Sequence, residues 1–204
     1  MWMCAKARVT QPLIYATMTE KLYKVNEIFY SLQGEGFYTG TPAVFLRFSG
    51  CNRACAFCDT DHHDGTLMSA DQIARLVASF PARHLVATGG EPLLQLDSHL
   101  LRALKAHGFY VQVETNGSCP VPPEVDWVTC SPKDAPWAID RIDELKVVYQ
   151  NDPDHLLRLA QLLPATRHFA QPLSGGNIPE TIEFCLNNPQ WRLSLQTHKL
   201  IDIR

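Results

Sequence analysis

The chain has 204 residues, 46% of them hydrophobic and 19% charged, with a formal net charge of −3. That length and apolar content suit one domain with its own core and exclude a disordered tail. The mild acidity argues against binding nucleic-acid backbone, and no apolar run nears the roughly 18–20 residues of a membrane span, so neither partner is expected.

In chain order, residues 1–19 have no continuous apolar segment of the signal-peptide kind, and Met18 is a second candidate start. They read as a flexible extension, leaving 20–204 as a single domain in the cytoplasm. Runs rich in apolar, β-branched and aromatic residues then predict strands at Tyr23–Phe29, Ala43–Ser49, His84–Thr88 and Phe109–Glu114. Further runs follow at Trp127–Ser131, Leu145–Tyr149, Arg167–Gln171 and Trp191–Leu195. Helices are predicted between several of them. Ser69–Phe80 opens on a Ser69/Gln72 capping box and lines up Ile73, Leu76, Val77 and Phe80. Asp97–His107 groups Leu100, Leu101 and Leu104 before the stop at Gly108. Asp154–Leu163 and Asn177–Asn187 follow.

Alternation of strand and helix implies parallel pairing with crossovers. The connections after Glu114 and after Ser131 are too short and, in the first case, too proline-rich for a helix. The fold class is therefore α/β, an incomplete, trimmed (β/α) barrel. The unusual residues cluster just past strand ends: Cys51, Gly89 to Glu91, Thr115 and Asn116, Pro132 and Lys133, Pro172 and His198. In parallel α/β folds those ends share one face, where sites are built.

Seven cysteines are an odd number, and three of them, Cys51, Cys55 and Cys58, fall within eight positions. A secreted disulfide framework is usually even and belongs to shorter chains. The spacing C-x3-C-x2-C suits three corners of an iron–sulfur cube with one iron left open. A structural zinc site, with His62 or His63 as fourth ligand, is the rival that spacing alone leaves standing. Cys119, Cys130 and Cys185 lack ligand-like spacing and read as packing residues.

The triplet after a strand, followed by Thr88-Gly89-Gly90-Glu91-Pro92 after the next, resembles the radical S-adenosylmethionine (SAM) superfamily. A narrower likeness rests on Glu27 to Gly36 (EIFYSLQGEG), Phe45 to Asn52, Cys58-Asp-Thr60, Ser131-Pro-Lys133, Gln171-Pro172 and Gln196-Thr-His-Lys199. These resemble the 7-carboxy-7-deazaguanine synthase family over about residues 22–200. A glycyl-radical activating protein, a similarly short member of the superfamily, would lack the LQGEG and QTHK motifs.

The resemblance implies a lyase converting 6-carboxy-5,6,7,8-tetrahydropterin to 7-carboxy-7-deazaguanine and ammonia on the way to queuosine and related deazapurines. It implies a 4Fe-4S cluster on Cys51, Cys55 and Cys58, SAM on the open iron, and Mg²⁺ at Thr60. SAM contacts are expected from Gly90, from Ser131, Pro132 and Lys133, and from Gln171, Pro172, Leu173 and Ser174. Substrate contacts are expected from Leu32, Gln33, Gly34, Arg47, Thr88 and Arg204. Glu35 joins the Leu32–Gly34 segment as a reader of the pterin edge. Arg47 is a charge inside an otherwise apolar strand, suited to a bidentate carboxylate. The family further implies a homodimer and a flavodoxin-type electron donor, and no contact with tRNA.

Overall fold

The computed structural model describes residues 20–204 except 56, 57, 59–61 and 175. The expected extension 1–19, with Cys4, lies outside the described residues. Nine strands form one open sheet: β1 (Leu22–Leu32), β2 (Pro42–Phe48), β3 (Thr66–Ser69), β4 (His84–Gly89), β5 (Tyr110–Thr115), β6 (Trp127–Cys130), β7 (Glu144–Tyr149), β8 (Arg167–Pro172) and β9 (Trp191–Leu193). Their order is β3-β1-β2-β4-β5-β6-β7-β8-β9. From β2 to β9 every neighbouring pair is parallel. The sheet does not close, which is the trimmed barrel that the short connections predict.

One end departs from the all-parallel expectation. β1 pairs antiparallel with β2 and with β3, a four-residue strand that carries no strong sequence signal. Gly65 precedes β3 where a Cβ would meet Ser49 Oγ at 2.3 Å and the Val25 carbonyl oxygen at 2.8 Å. The chain passes there only because position 65 has no side chain.

The helices form where periodicity and caps place them. α1 (Ala70–Ala78) starts on the Ser69/Gln72 capping box, with both reciprocal bonds present. α2 (Ser98–Ala106) is capped by Asp97, whose carboxylate accepts from the Leu100 N–H at 3.0 Å. α3 (Pro153–Leu162) begins one turn position earlier than Asp154, because Asp152 caps it and Pro153 fits the first helical residue. α4 (Ile178–Asn187) follows Asn177, which makes no side-chain cap. Its amide instead ties the Tyr149 carbonyl and Asn151 to the Leu173 N–H. A short 3₁₀ turn, Pro92–Leu94, and a four-residue helix, α5 (Thr197–Leu200), are additions to the sequence-based elements.

Two apolar clusters lie between sheet and helices. One joins β1, β2, β4 and β5 to α1 and α2 through residues such as Leu46, Leu85, Ile73 and Leu101. The other joins β7 and β8 to α3 and α4 through Leu145, Leu156 and Phe184. In the stretch without helices Ile139 packs against both clusters, with Trp137 and Ile142 against the second. The loop thus supplies apolar cover where a longer crossover would have placed a helix.

The opposite end of the barrel is closed by the β1–β2 loop. Phe37 stacks on Trp127, and the Arg167 guanidinium sits 4.3 Å from the Phe37 ring centre. Tyr38 meets His84, Tyr110 and Trp127 edge-on. All four partners are first residues of their strands. The loop therefore plugs the strand starts and leaves the strand ends open.

Candidate active site

A cavity of about 1070 Å³ occupies the barrel interior and opens at the strand ends. Its mouth is lined by Cys51, Cys55 and Cys58, with Arg53, His62 and His63 beside them. Cys51 and Cys55 are half-buried and Cys58 is exposed. The loop is anchored by backbone: Gly50 N–H donates to the His62 carbonyl at 2.8 Å, and Cys58 N–H to the Cys55 carbonyl at 3.2 Å. Thr60 lies outside the described residues, and so does its neighbour Asp59.

The segment after β4 is pressed against this loop. Gly90 N–H donates to the Phe48 carbonyl and Glu91 N–H to the Gly50 carbonyl. A Cβ on Gly90 would stand 2.1 Å from the Gly50 oxygen and 2.9 Å from Cys51 Cβ. Gly89 has φ +124°, and a Cβ there would fall 2.1 Å from the Phe48 oxygen. Both glycines are thus required by close backbone approach. Glu91 is fully buried and accepts from Thr115 Oγ1 at 2.8 Å, Leu93 N–H at 3.0 Å and Asn116 N–H at 2.7 Å. Burial pushes its carboxyl up, against the pull of those donors. It fastens the glycine segment to the end of β5.

Ser131 and Lys133 line the cavity from the end of β6, and Gln171, Pro172, Leu173 and Ser174 from the end of β8. Pro132 is absent from the lining. Burial lowers the Lys133 ammonium, offset in part by the thiols of Cys55 and Cys130. Ser174 has φ +45°, an uncommon backbone for a residue with a side chain. Cys130 is buried below the site and pushed up to about 12 by burial. Cys119 and Cys185 are half-buried, and Cys185 packs against the α3–α4 cluster.

Leu32, Gln33, Gly34, Arg47 and Thr88 all line the same cavity, as does Arg204. Arg47 and Glu27 are register partners on β2 and β1, with Nε 2.8 Å from Oε1. The other Glu27 oxygen accepts from Arg204, whose guanidinium lies 4.8 Å from the Phe29 ring centre. Arg204 is thus seated against β1.

Glu114 and Lys146, two residues outside the set that the sequence motifs point to, line the floor together with Glu35. Glu114 is the one charge on β5, the same signal that singled out Arg47, whereas Lys146 shares β7 with Glu144. Burial pushes Glu114 up to about 7, Lys146 opposing and Glu35 adding to the rise. Burial alone would lower Lys146, but Glu114 and Glu35 hold it above its ordinary value. Burial would raise Glu35, and Lys146 outweighs it, so that carboxyl lies below the usual range.

The donor set fits an iron–sulfur cube and a bound cofactor. Three sulfurs from one loop face a cavity whose backbone rim has no Cβ at Gly90. Arg53 Nε and His62 Nδ1 are buried there without a partner among the described residues, polar atoms for a bound group to meet.

Comparison with known proteins agrees. Residues 46–146 match the model of the radical SAM superfamily. The chain is 54% identical over 182 residues to 7-carboxy-7-deazaguanine synthase of Bacteroides thetaiotaomicron, covering 89% of this chain and 98% of the relative. It is 44% identical over 208 residues to the enzyme of that name from Burkholderia multivorans, covering 89% and 99%. Among solved structures, QueE from Escherichia coli superposes with a TM-score of 0.74 at 30% identity, over 85% of this chain and 93% of that one.

Proposed function

This chain belongs to the 7-carboxy-7-deazaguanine synthase family of radical SAM enzymes, and from that premise we propose how its cavity carries out the reaction. It is a lyase acting on a small molecule, 6-carboxy-5,6,7,8-tetrahydropterin, and forming 7-carboxy-7-deazaguanine and ammonia in queuosine biosynthesis. The family's cofactors are a 4Fe-4S cluster, SAM and Mg²⁺. When bound, they supply a reversible hydrogen abstraction and an oxyphilic cation; the protein supplies position and dryness.

Cys51, Cys55 and Cys58 would hold the cluster. Gly90 would let backbone reach the amino group of SAM, while Ser131 and Lys133 on one side and Gln171, Pro172, Leu173 and Ser174 on the other would hold the rest, with Pro132 outside the lining. Lys133, lowered by burial yet beside two of the thiols, places positive charge against an anionic group. Thr60 offers its hydroxyl to Mg²⁺. Leu32, Gln33 and Gly34 read the pterin edge, and Thr88 packs on the ring. Arg47, oriented by Glu27, takes the substrate carboxylate, and Arg204 closes over it. The plug of Phe37 and Tyr38 keeps water from entering through the strand starts.

One observation carries this reading: a single cavity joins the three sulfurs to a floor of amides and carboxylates. A site that must break one bond in a ring while rejecting other rings needs both ends in one enclosure. Among the described residues no helix is long and apolar enough to cross a membrane. The assignment extends to a cytoplasmic homodimer reduced by a flavodoxin-type protein.

The test is anoxic reconstitution with iron and sulfide, followed by incubation with the carboxypterin, SAM and a reductant, with and without Mg²⁺. Formation of 7-carboxy-7-deazaguanine with SAM left unconsumed is expected. A protein that binds zinc and no cluster, or a reconstituted cluster that yields no deazaguanine, overturns it.

A further inference from the structure

The cavity floor holds a charge arrangement that the roles above leave unused. Lys146 Nζ lies 2.6 Å from Glu35 Oε2 and 2.8 Å from Glu114 Oε2. Its side chain is only 5% exposed. The remaining carboxylate oxygens accept from amides. Glu35 Oε1 accepts from Gln196 Nε2 at 2.8 Å, and Glu114 Oε1 from Gln112 Nε2 at 3.0 Å and Gln33 Nε2 at 3.2 Å. Each of these partners is a donor, so both carboxylates are held as acceptors.

The three groups come from three parts of the chain: the β1–β2 loop, β5 and β7. Lys146 is the group that bonds to both carboxylates. The other charged groups acting on this cluster are Glu144, lower on β7, Lys133 at the end of β6, and His198 on α5. A buried ammonium between two carboxylates is weak evidence of stability, because desolvation consumes most of the attraction. Above about pH 7, where Glu114 is ionised, two carboxylates and one ammonium leave an excess of acceptor charge facing the cavity. Such a floor suits a ring edge that carries adjacent N–H donors and repels one that carries carbonyl lone pairs.

We propose that Lys146 is a positioning residue for substrate selectivity, tying Glu35 to Glu114 so that their carboxylates face the 2-amino and N3–H donors of a 2-aminopyrimidinone ring. The inference rests on the carboxypterin reading of this site. Without the ammonium, the two carboxylates repel and Glu35 loses its ionic tie to Glu114, while the rest of the β1–β2 loop stays anchored through Gln33 and Phe37. A lumazine, with oxygen in place of the 2-amino group, then ceases to be penalised.

The experiment compares anoxic equilibrium binding of 6-carboxypterin and 6-carboxylumazine to the reconstituted, SAM-loaded enzyme, read by pterin fluorescence. Wild type is expected to prefer the pterin by at least tenfold. Lys146→Met should weaken pterin binding at least tenfold and bring the two ligands within about threefold, with SAM affinity within twofold of wild type. A merely structural role would weaken both ligands alike and leave their ratio unchanged, which overturns the proposal. Should Lys146→Met fail to fold, Lys146→Gln carries the same test. A wild type that converts no 6-carboxy-5,6,7,8-tetrahydropterin overturns the functional reading. Turnover by wild type with unchanged selectivity in the variant overturns this inference alone.

Discussion

Gly34 lies directly beneath His198, so close that a Cβ at position 34 would stand 2.1 Å from the ring Nδ1. The contact is one of three between the pterin-edge loop and the C-terminal helix. Thr197 donates to the Gly34 carbonyl through both its N–H and its hydroxyl, each at 2.9 Å. Gln196 reaches Glu35. Gly34→Ala is expected to displace the His198 ring and loosen this clasp. The side chain can swing away, so stability should fall by only about 1 kcal/mol, while KM for the carboxypterin rises at least fivefold. Thermal unfolding and steady-state kinetics check both.

Gly89 presents the opposite case, because backbone rather than a side chain blocks it. The positive φ and the Phe48 oxygen leave a methyl group nowhere to go. Gly89→Ala should cost about 3 kcal/mol or more by strain and overpacking. It should also lower the iron retained after reconstitution, since the strand it displaces borders the cysteine loop. Denaturant titration and iron analysis on the same preparation test the two effects together.

Glu27 accepts from Arg47 on one oxygen and from Arg204 on the other, while Ser31 donates to the Arg204 carbonyl at 2.5 Å. The Arg204 side chain is 68% exposed, so its pair with Glu27 should contribute less than about 1 kcal/mol to folding. Its effect should instead be on substrate capture. Arg204→Ala is expected to raise KM severalfold with kcat within about twofold of wild type. In a cycle with Glu27→Gln the two losses should be less than additive, because each removes the same latch. Strict additivity in KM would show that Arg204 acts elsewhere.

Glu114 gives the fold a pH dependence with a definite sign. Burial raises its carboxyl to about 7, well above the ordinary carboxylate value expected in the unfolded chain. Between those two values the folded state keeps a proton that the unfolded state has lost. The group's contribution is therefore fully present below the unfolded value and is lost as pH rises towards 7. Apo-protein stability should fall across pH 5–7 by an amount bounded at about 3 kcal/mol. Glu114→Gln should flatten that slope. Denaturant midpoints at several pH values decide it, and an unchanged slope in the variant assigns the effect to another group.

Much of this was legible in the chain itself. Leu100, Leu101 and Leu104 share a helical face whatever the surroundings, and Ser69 with Gln72 caps its helix through bonds made within four residues. The strand runs and the C-x3-C-x2-C and TGGEP motifs are local too, and they carried the fold class and the family. Where a segment's partner is distant in sequence, local pattern failed. β3 is four residues long and exists because β1 offers it an edge. The antiparallel turn of β1 is set by its pairing across the sheet.

The sequence by itself determined which residue types bear the chemistry, because sulfur ligands, glycines of forced backbone geometry and a lone arginine in an apolar strand announce themselves at short range. Only the tertiary structure decided that Glu35, Glu114 and Lys146 form one group, since they are 111 and 32 residues apart along the chain. Charge interaction depends on distance in space and on the exclusion of water. Both exist only once the β1–β2 loop plugs the barrel and brings a carboxylate from one end of the sheet to an ammonium at its centre.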